Sequence, residues 1–142
     1  MKALVVFLNI IVCLSFFVVD RSYAADVHIE ENGPEEYFLA IAFANGIEVP
    51  RNKKLAAHYF EKAALIGHGP SQRNLGIMNC LGDGIEKNSI LGYAWLLIAT
   101  TNKDEVAPRI VAELNEILTS IQINGAKEKA TKILDSIVKN RE

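Results

Sequence analysis

From Pro34 onward the apolar residues fall at spacings of one, three and four, the mark of helices that each bury one stripe. Pro34 can open the first helix, because a proline at N1 forfeits no needed donor. Gly46 closes it, since glycine accepts the left-handed C′ conformation cheaply. Asn52 then stands where an N-cap is required, and Leu55, Ala56, Tyr59, Phe60, Ala63 and Ala64 form the stripe behind it. After Asn88, a second N-cap, the stripe is Leu91, Gly92, Trp95, Leu96 and Ala99. Val106 to Leu118 carries Ile110, Val111, Leu114, Ile117 and Leu118 on one face, with Pro108 in its first turn. Thr119 and Gln122 have the spacing of a capping box. The last helix places Ala126, Ala130, Ile133, Leu134, Ile137 and Val138 on one face. Its other face holds Lys127, Glu128, Lys129, Lys132, Asp135 and Lys139, the polar exterior that a closing helix requires. No stretch alternates with period two, so the predicted fold class is all-α.

Two of these segments are copies of one unit. Leu39 and Leu75 are 36 residues apart, and the same offset relates Gly46 to Gly82, Val49 to Ile85 and Asn52 to Asn88. It also relates Leu55 to Leu91, Tyr59 to Trp95, Phe60 to Leu96 and Ala63 to Ala99. Each unit reads helix, glycine turn, helix. The expected architecture is an α/α solenoid of about three antiparallel helix pairs: repeats over 34–69 and 70–103, and a closing pair over 104–139. Small residues recur in the stripes at Ala40, Ala56, Ala63, Gly76, Gly92 and Ala99. They let neighbouring backbones approach closely.

The residues before the first helix follow other rules. Lys2, the nearly unbroken apolar run Ala3 to Val19, and Ser22-Tyr23-Ala24 have the layout of a secretory signal cleaved after Ala24. The competing reading is a retained anchor, as the run approaches the roughly 18–20 apolar residues of a spanning helix. Residues 25–33 lack periodicity and are expected to be a flexible leader. The mature chain would be periplasmic or secreted.

Charge and cysteine content narrow the function. Beyond Ala24 there are 13 Lys and Arg against 16 Asp and Glu. Without a clustered basic surface the chain has no nucleic-acid footprint, and the mature form has no attraction to an anionic membrane. Cys13 lies in the signal and lacks the small preceding residues of a lipoprotein signal. Cys80 is then alone, so the fold rests on packing without an internal disulfide, and its helical setting predicts a buried thiol. His28, His58 and His68 form no metal pair at helical spacing, with His68 expected in a solvated loop. Gly82-Asp83-Gly84 ends a helix instead of cradling phosphate. Ser71, Ser89, Ser120 and Ser136 have no histidine in a recognisable frame. Glu35 and Glu36 suit a helix start, and Tyr59 and Trp95 read as core. No enzyme, cofactor or metal site is predicted.

Leu39-Ala40-Ile41-Ala42-Phe43-Ala44-Asn45-Gly46-Ile47-Glu48-Val49 resembles the opening of a Sel1-like repeat. Leu55-Ala56-Ala57-His58-Tyr59-Phe60-Glu61-Lys62-Ala63-Ala64 resembles its second half. Leu75-Gly76, Gly82-Asp83-Gly84-Ile85 and Tyr93-Ala94-Trp95-Leu96-Leu97 repeat the pattern. The resemblance implies a right-handed, tetratricopeptide-like superhelix and an adaptor role in complexes, often in bacterial envelopes. Three residues depart from the pattern: Glu48 in the slot of the second turn glycine, Asn79 where an aromatic is usual, and Pro70 where alanine is common.

The expected function is therefore an exported interaction module with a protein partner. An immunity protein that neutralises a toxic effector in the periplasm is the alternative, followed by a small hydrolase. In stacked helix pairs the first helices line the concave side. Tyr37, Ile41, Arg73 and Ile77, paired by the same offset, are the candidate partner-binding set. The competing reading has Ile41 and Ile77 packing between repeats.

Overall fold

The computed structural model describes residues 34–140. The expected signal segment and cleavage site, the expected leader 25–33, Cys13 and His28 lie outside the described residues. Among the described residues six helices follow one another: α1 Pro34–Asn45, α2 Lys53–Leu65, α3 Gly69–Leu81, α4 Ser89–Thr101, α5 Ala107–Asn115 and α6 Ser120–Lys139. There is no strand among the described residues. α1 pairs with α2 and α3 with α4, α2 and α3 join the two pairs, and α5 and α6 both dock on α4.

The repeat is visible atom by atom. Asn52 Oδ1 accepts from Leu55 N at 3.0 Å, and Asn88 Oδ1 accepts from Leu91 N at 2.9 Å. Gly46 N donates to Ala42 O and Gly82 N to Met78 O, both at 2.8 Å. Asn52 N donates to Phe43 O, and Asn88 N to Asn79 O, again both at 2.8 Å. Each turn is thus closed on the preceding helix by the same bonds. Gly46 and Gly82 have φ of 73° and 74°, the left-handed conformation that glycine adopts without penalty. Glu48 enters the same region at φ 59°, where its repeat counterpart is Gly84 at φ 78°. The first turn therefore keeps the geometry of the second, and its non-glycine residue bears the strain.

The core is built mostly from alanine and aromatic side chains. Ala40, Ala56 and Ala64 are fully buried, and Phe60, Tyr93 and Trp95 are nearly so. Small residues at the helix contacts let the larger rings fill the space between pairs. The tail departs from its expected boundaries. α5 ends at Asn115, because Thr119 begins the next helix with a complete capping box to Gln122. Val111, Leu114 and Leu118 pack on the core, but Ile117 is 75% exposed and Val138 58%. These two were expected on buried faces. Among the described residues α4 is the only extensive neighbour of α6, and it covers a narrower arc than the apolar stripe spans.

Candidate functional site

A groove of about 740 Å³ opens along the second helices of both repeats. α2 supplies Leu55, Ala57, His58 and Glu61, and α4 supplies Leu91 and Trp95. Leu75 and Asn79 of α3 form its buried floor. Asn52, Lys54, Ile85, Glu86, Lys87 and Asn88 surround it. Apolar side chains of Leu55, Ala57, Leu91 and Trp95 thus meet Asn79 and a rim of both charge signs.

The groove has a local cause. In the first repeat, Phe43 stacks on Tyr59 with ring centroids 5.7 Å apart and planes 2° from parallel. The 36-residue offset puts Asn79 and Trp95 in those positions. Asn79 turns back on its own helix, where Nδ2 donates to Leu75 O at 2.9 Å. The volume that a ring fills in the first repeat is left open in the second, and both Asn79 and Trp95 line it. The departure at Asn79 was the legible signal. What it opens depends on α2 standing opposite, which no local pattern reveals.

The loop bounding the groove is held firmly. Lys53 Nζ forms an ion pair with Asp83. A Cβ on Gly84 would lie 2.6 Å from the Lys53 backbone. The approach of α2 requires glycine there, and its positive φ is one that glycine adopts without penalty.

The four residues expected to bind a partner lie on the first helices, away from this groove. Tyr37 is half-buried, with its ring 4.8 Å from that of His68 and 6.1 Å from that of Phe60. Ile41 is half-buried against the core, and Ile77 is half-buried. Arg73 is engaged internally: its Nε donates to both carboxylate oxygens of Asp104 at 3.0–3.1 Å. Asp104 Oδ1 also accepts from Val106 N and Ala107 N at the start of α5. Beside it, Gln72 Nε2 donates to Ala64 O at 2.9 Å, and Asn102 Nδ2 donates to Gln72 Oε1 at 2.8 Å. This polar seam ties both repeats to the closing helices. Among the described residues, every buried side-chain N or O atom has a partner.

Two titratable residues differ from their expected settings. His68 is no solvated loop residue. It is the N-cap of α3, half-buried, and its Nδ1 is hydrogen-bonded to Ser71 Oγ at 2.7 Å. Burial pushes its pKa below the usual histidine value, and Asp104 opposes this weakly. The sequence frame did not reveal this Ser–His pair. Ser71 has no exposed surface, and the Asp104 oxygens are committed to Arg73 and α5, so the pair presents no accessible nucleophile. Cys80 is half-buried, with burial raising its pKa; a thiol so held is a weak nucleophile. No group of three or more metal-ligating side chains occurs among the described residues, and none of their helices is long and apolar enough to cross a membrane.

The Sel1 repeat family model matches residues 36–68 and 69–104. Among solved structures, the chain is similar to a protective antigen present in uropathogenic Escherichia coli strains that displays an SLR fold. The TM-score is 0.67 and the identity 25%, over 70% of this chain and 22% of that one. It is also similar to a Sel1 repeat protein from Oxalobacter formigenes, with a TM-score of 0.54 and 32% identity over 56% of this chain and 23% of that one. The chain thus spans less than a quarter of either protein. No curated protein matches it. Sel1 repeats are typically non-catalytic scaffolds that mediate protein–protein interaction. With two helix pairs in register at a 36-residue offset, and a family match that coincides with them, the chain belongs to the Sel1 repeat family.

Proposed function

We propose that this protein is a non-catalytic interaction module of the bacterial envelope, exported by its N-terminal signal, which holds a protein segment in the groove between α2 and α4. The observation that carries this reading is the opening beside Trp95, where Asn79 replaces the ring that fills the first repeat. Buried aromatic anchors ringed by polar residues dominate binding energy at protein interfaces. The groove is about the size of a ligand pocket, which suits one short helix or extended segment. Lys54 and Lys87 stand among Glu61 and Glu86 around it, so the partner segment should itself carry both signs of charge. Export is supported by Lys2, the apolar run Ala3 to Val19 and the small residues Ser22 and Ala24.

The test is site-specific photocrosslinking in living cells from His58 and Lys87 on the groove rim, with Lys129 on α6 as a control. A discrete protein adduct from the rim positions alone supports the reading. Equal yields from all three positions, or none, would remove it. N-terminal sequencing of the envelope fraction checks export independently, with Ala25 expected as the first residue.

A further inference from the structure

Resting on the groove reading above, we propose that the group anchored in the groove is a tyrosine side chain of the bound segment. Its ring packs on Trp95 and its hydroxyl donates to Asn79. The first repeat shows the shape of the missing group, for there the Phe43 ring lies parallel to that of Tyr59. Asn79 is too short to reach the equivalent place beside Trp95, which stays open. The polar atoms there give the chemistry of the occupant. Leu75 O can only accept, so Nδ2 is the amide atom turned towards it and Oδ1 is turned away. Neither Asn79 Oδ1 nor Trp95 Nε1 has a hydrogen-bond partner among the described residues, whereas every fully buried side-chain N or O atom among them is paired. Both atoms therefore meet open space. Asn79 and Trp95 are each only 5% exposed, and both line the groove, so the little surface they keep opens there. The groove thus holds an unpaired acceptor and an unpaired donor on side chains that are otherwise enclosed.

These groups select among side chains. An aliphatic chain or a phenyl ring fills space but strips water from both polar atoms without replacing it, which costs binding energy. A carboxylate only accepts, and would face the Asn79 oxygen with another acceptor. A guanidinium can lie flat on the indole but only donates, so Nε1–H stays unpaired. A primary amide donates and accepts but brings no ring. A phenol combines a ring with a hydroxyl that donates to Oδ1 and accepts from Nε1–H. Entering from solvent, a tyrosine leads with that hydroxyl. Its polar end arrives at Asn79 while its ring lies among Leu55, Leu91 and Trp95.

Trp95 is the sole tryptophan of the chain, so its indole N–H gives a single reporter signal in a proton–nitrogen correlation spectrum. The test titrates the isotope-labelled protein, purified from its producing cells, with p-cresol, toluene and acetamide. p-Cresol is expected to shift the indole signal saturably, and toluene to bind about tenfold more weakly or worse. Asn79→Leu should erase the preference for p-cresol over toluene while the indole signal stays dispersed, which shows that the variant is folded. Equal binding of toluene and p-cresol by the wild type overturns the proposal. So does tighter binding of acetamide, or an indole signal that p-cresol leaves unmoved. The fragments bind whether or not a cell supplies a partner. Rim crosslinks with the indole signal unmoved would therefore count against the tyrosine alone, and p-cresol binding without rim crosslinks against the protein segment that carries it.

Discussion

Gly76 and Gly92 meet where α3 crosses α4, so closely that a Cβ on Gly92 would lie 2.6 Å from the Gly76 carbonyl oxygen. In the first repeat the same two positions are Ala40 and Ala56, both fully buried. The second pair thus gives up the helix propensity of two alanines in exchange for contact between backbones. The Cys80 sulfur takes up remaining space at that crossing, 2.4 Å from where a Gly92 Cβ would stand. Gly92→Ala should lower unfolding stability by about 1–3 kcal/mol through overpacking, despite the roughly 1 kcal/mol that alanine gains over glycine in a helix. Gly125→Ala on α6 is the matched control. Its nearest neighbour is Ile90 Cγ2 at 3.9 Å, so it should stabilise by up to about 1 kcal/mol. Urea unfolding of both variants measures the difference.

Trp95 is only 5% exposed yet lines the groove. Trp95→Ala should cost about 3–5 kcal/mol, read from the same denaturation curves. Asn79→Phe separates binding from folding. It restores the ring present in the first repeat, and should narrow the groove beside Trp95 and weaken rim crosslinks while the variant still melts cooperatively.

Arg73 joins α3 to Asp104, whose side chain is 3% exposed. Arg73→Met should destabilise by about 1–3 kcal/mol, since Asp104 keeps its two backbone donors but loses its counter-ion. A variant of unchanged stability that no longer binds its partner would instead make Arg73 a contact residue, as the repeat pattern alone proposes.

His68 makes stability depend on pH. Its folded pKa lies below the ordinary value of 6.5 because burial disfavours the charged ring. The unfolded chain therefore takes up the proton first. The contribution is fully present above pH 6.5, and falls as pH drops from there towards the folded pKa. In His68→Asn, thermal melts across that range should lose this slope. Asn also keeps a side chain suited to the N-cap.

Much of this protein is legible along the chain because its contacts are local and repeated. The 36-residue offset, the caps at Asn52, Asn88 and Thr119, and the left-handed turns at Gly46 and Gly82 depend on residues within a few positions of each other, so composition and spacing determine them. The helix count and the all-α class follow from the same local physics.

Other features were decided by what stands opposite. Gly84 is needed because the Lys53 backbone passes 2.6 Å from its absent Cβ, an approach set by inter-repeat packing. His68 left its expected solvated loop because Tyr37 and Ser71 close around it. Arg73, read as a surface contact, turned inward because Asp104 arrives from 31 residues away. The departure at Asn79 is visible in sequence, but the groove exists only because α2 and α4 hold their distance while that side chain bonds back to Leu75. Sequence alone determined the repeating unit. The tertiary structure decided which of its faces is filled, since burial depends on neighbours distant along the chain.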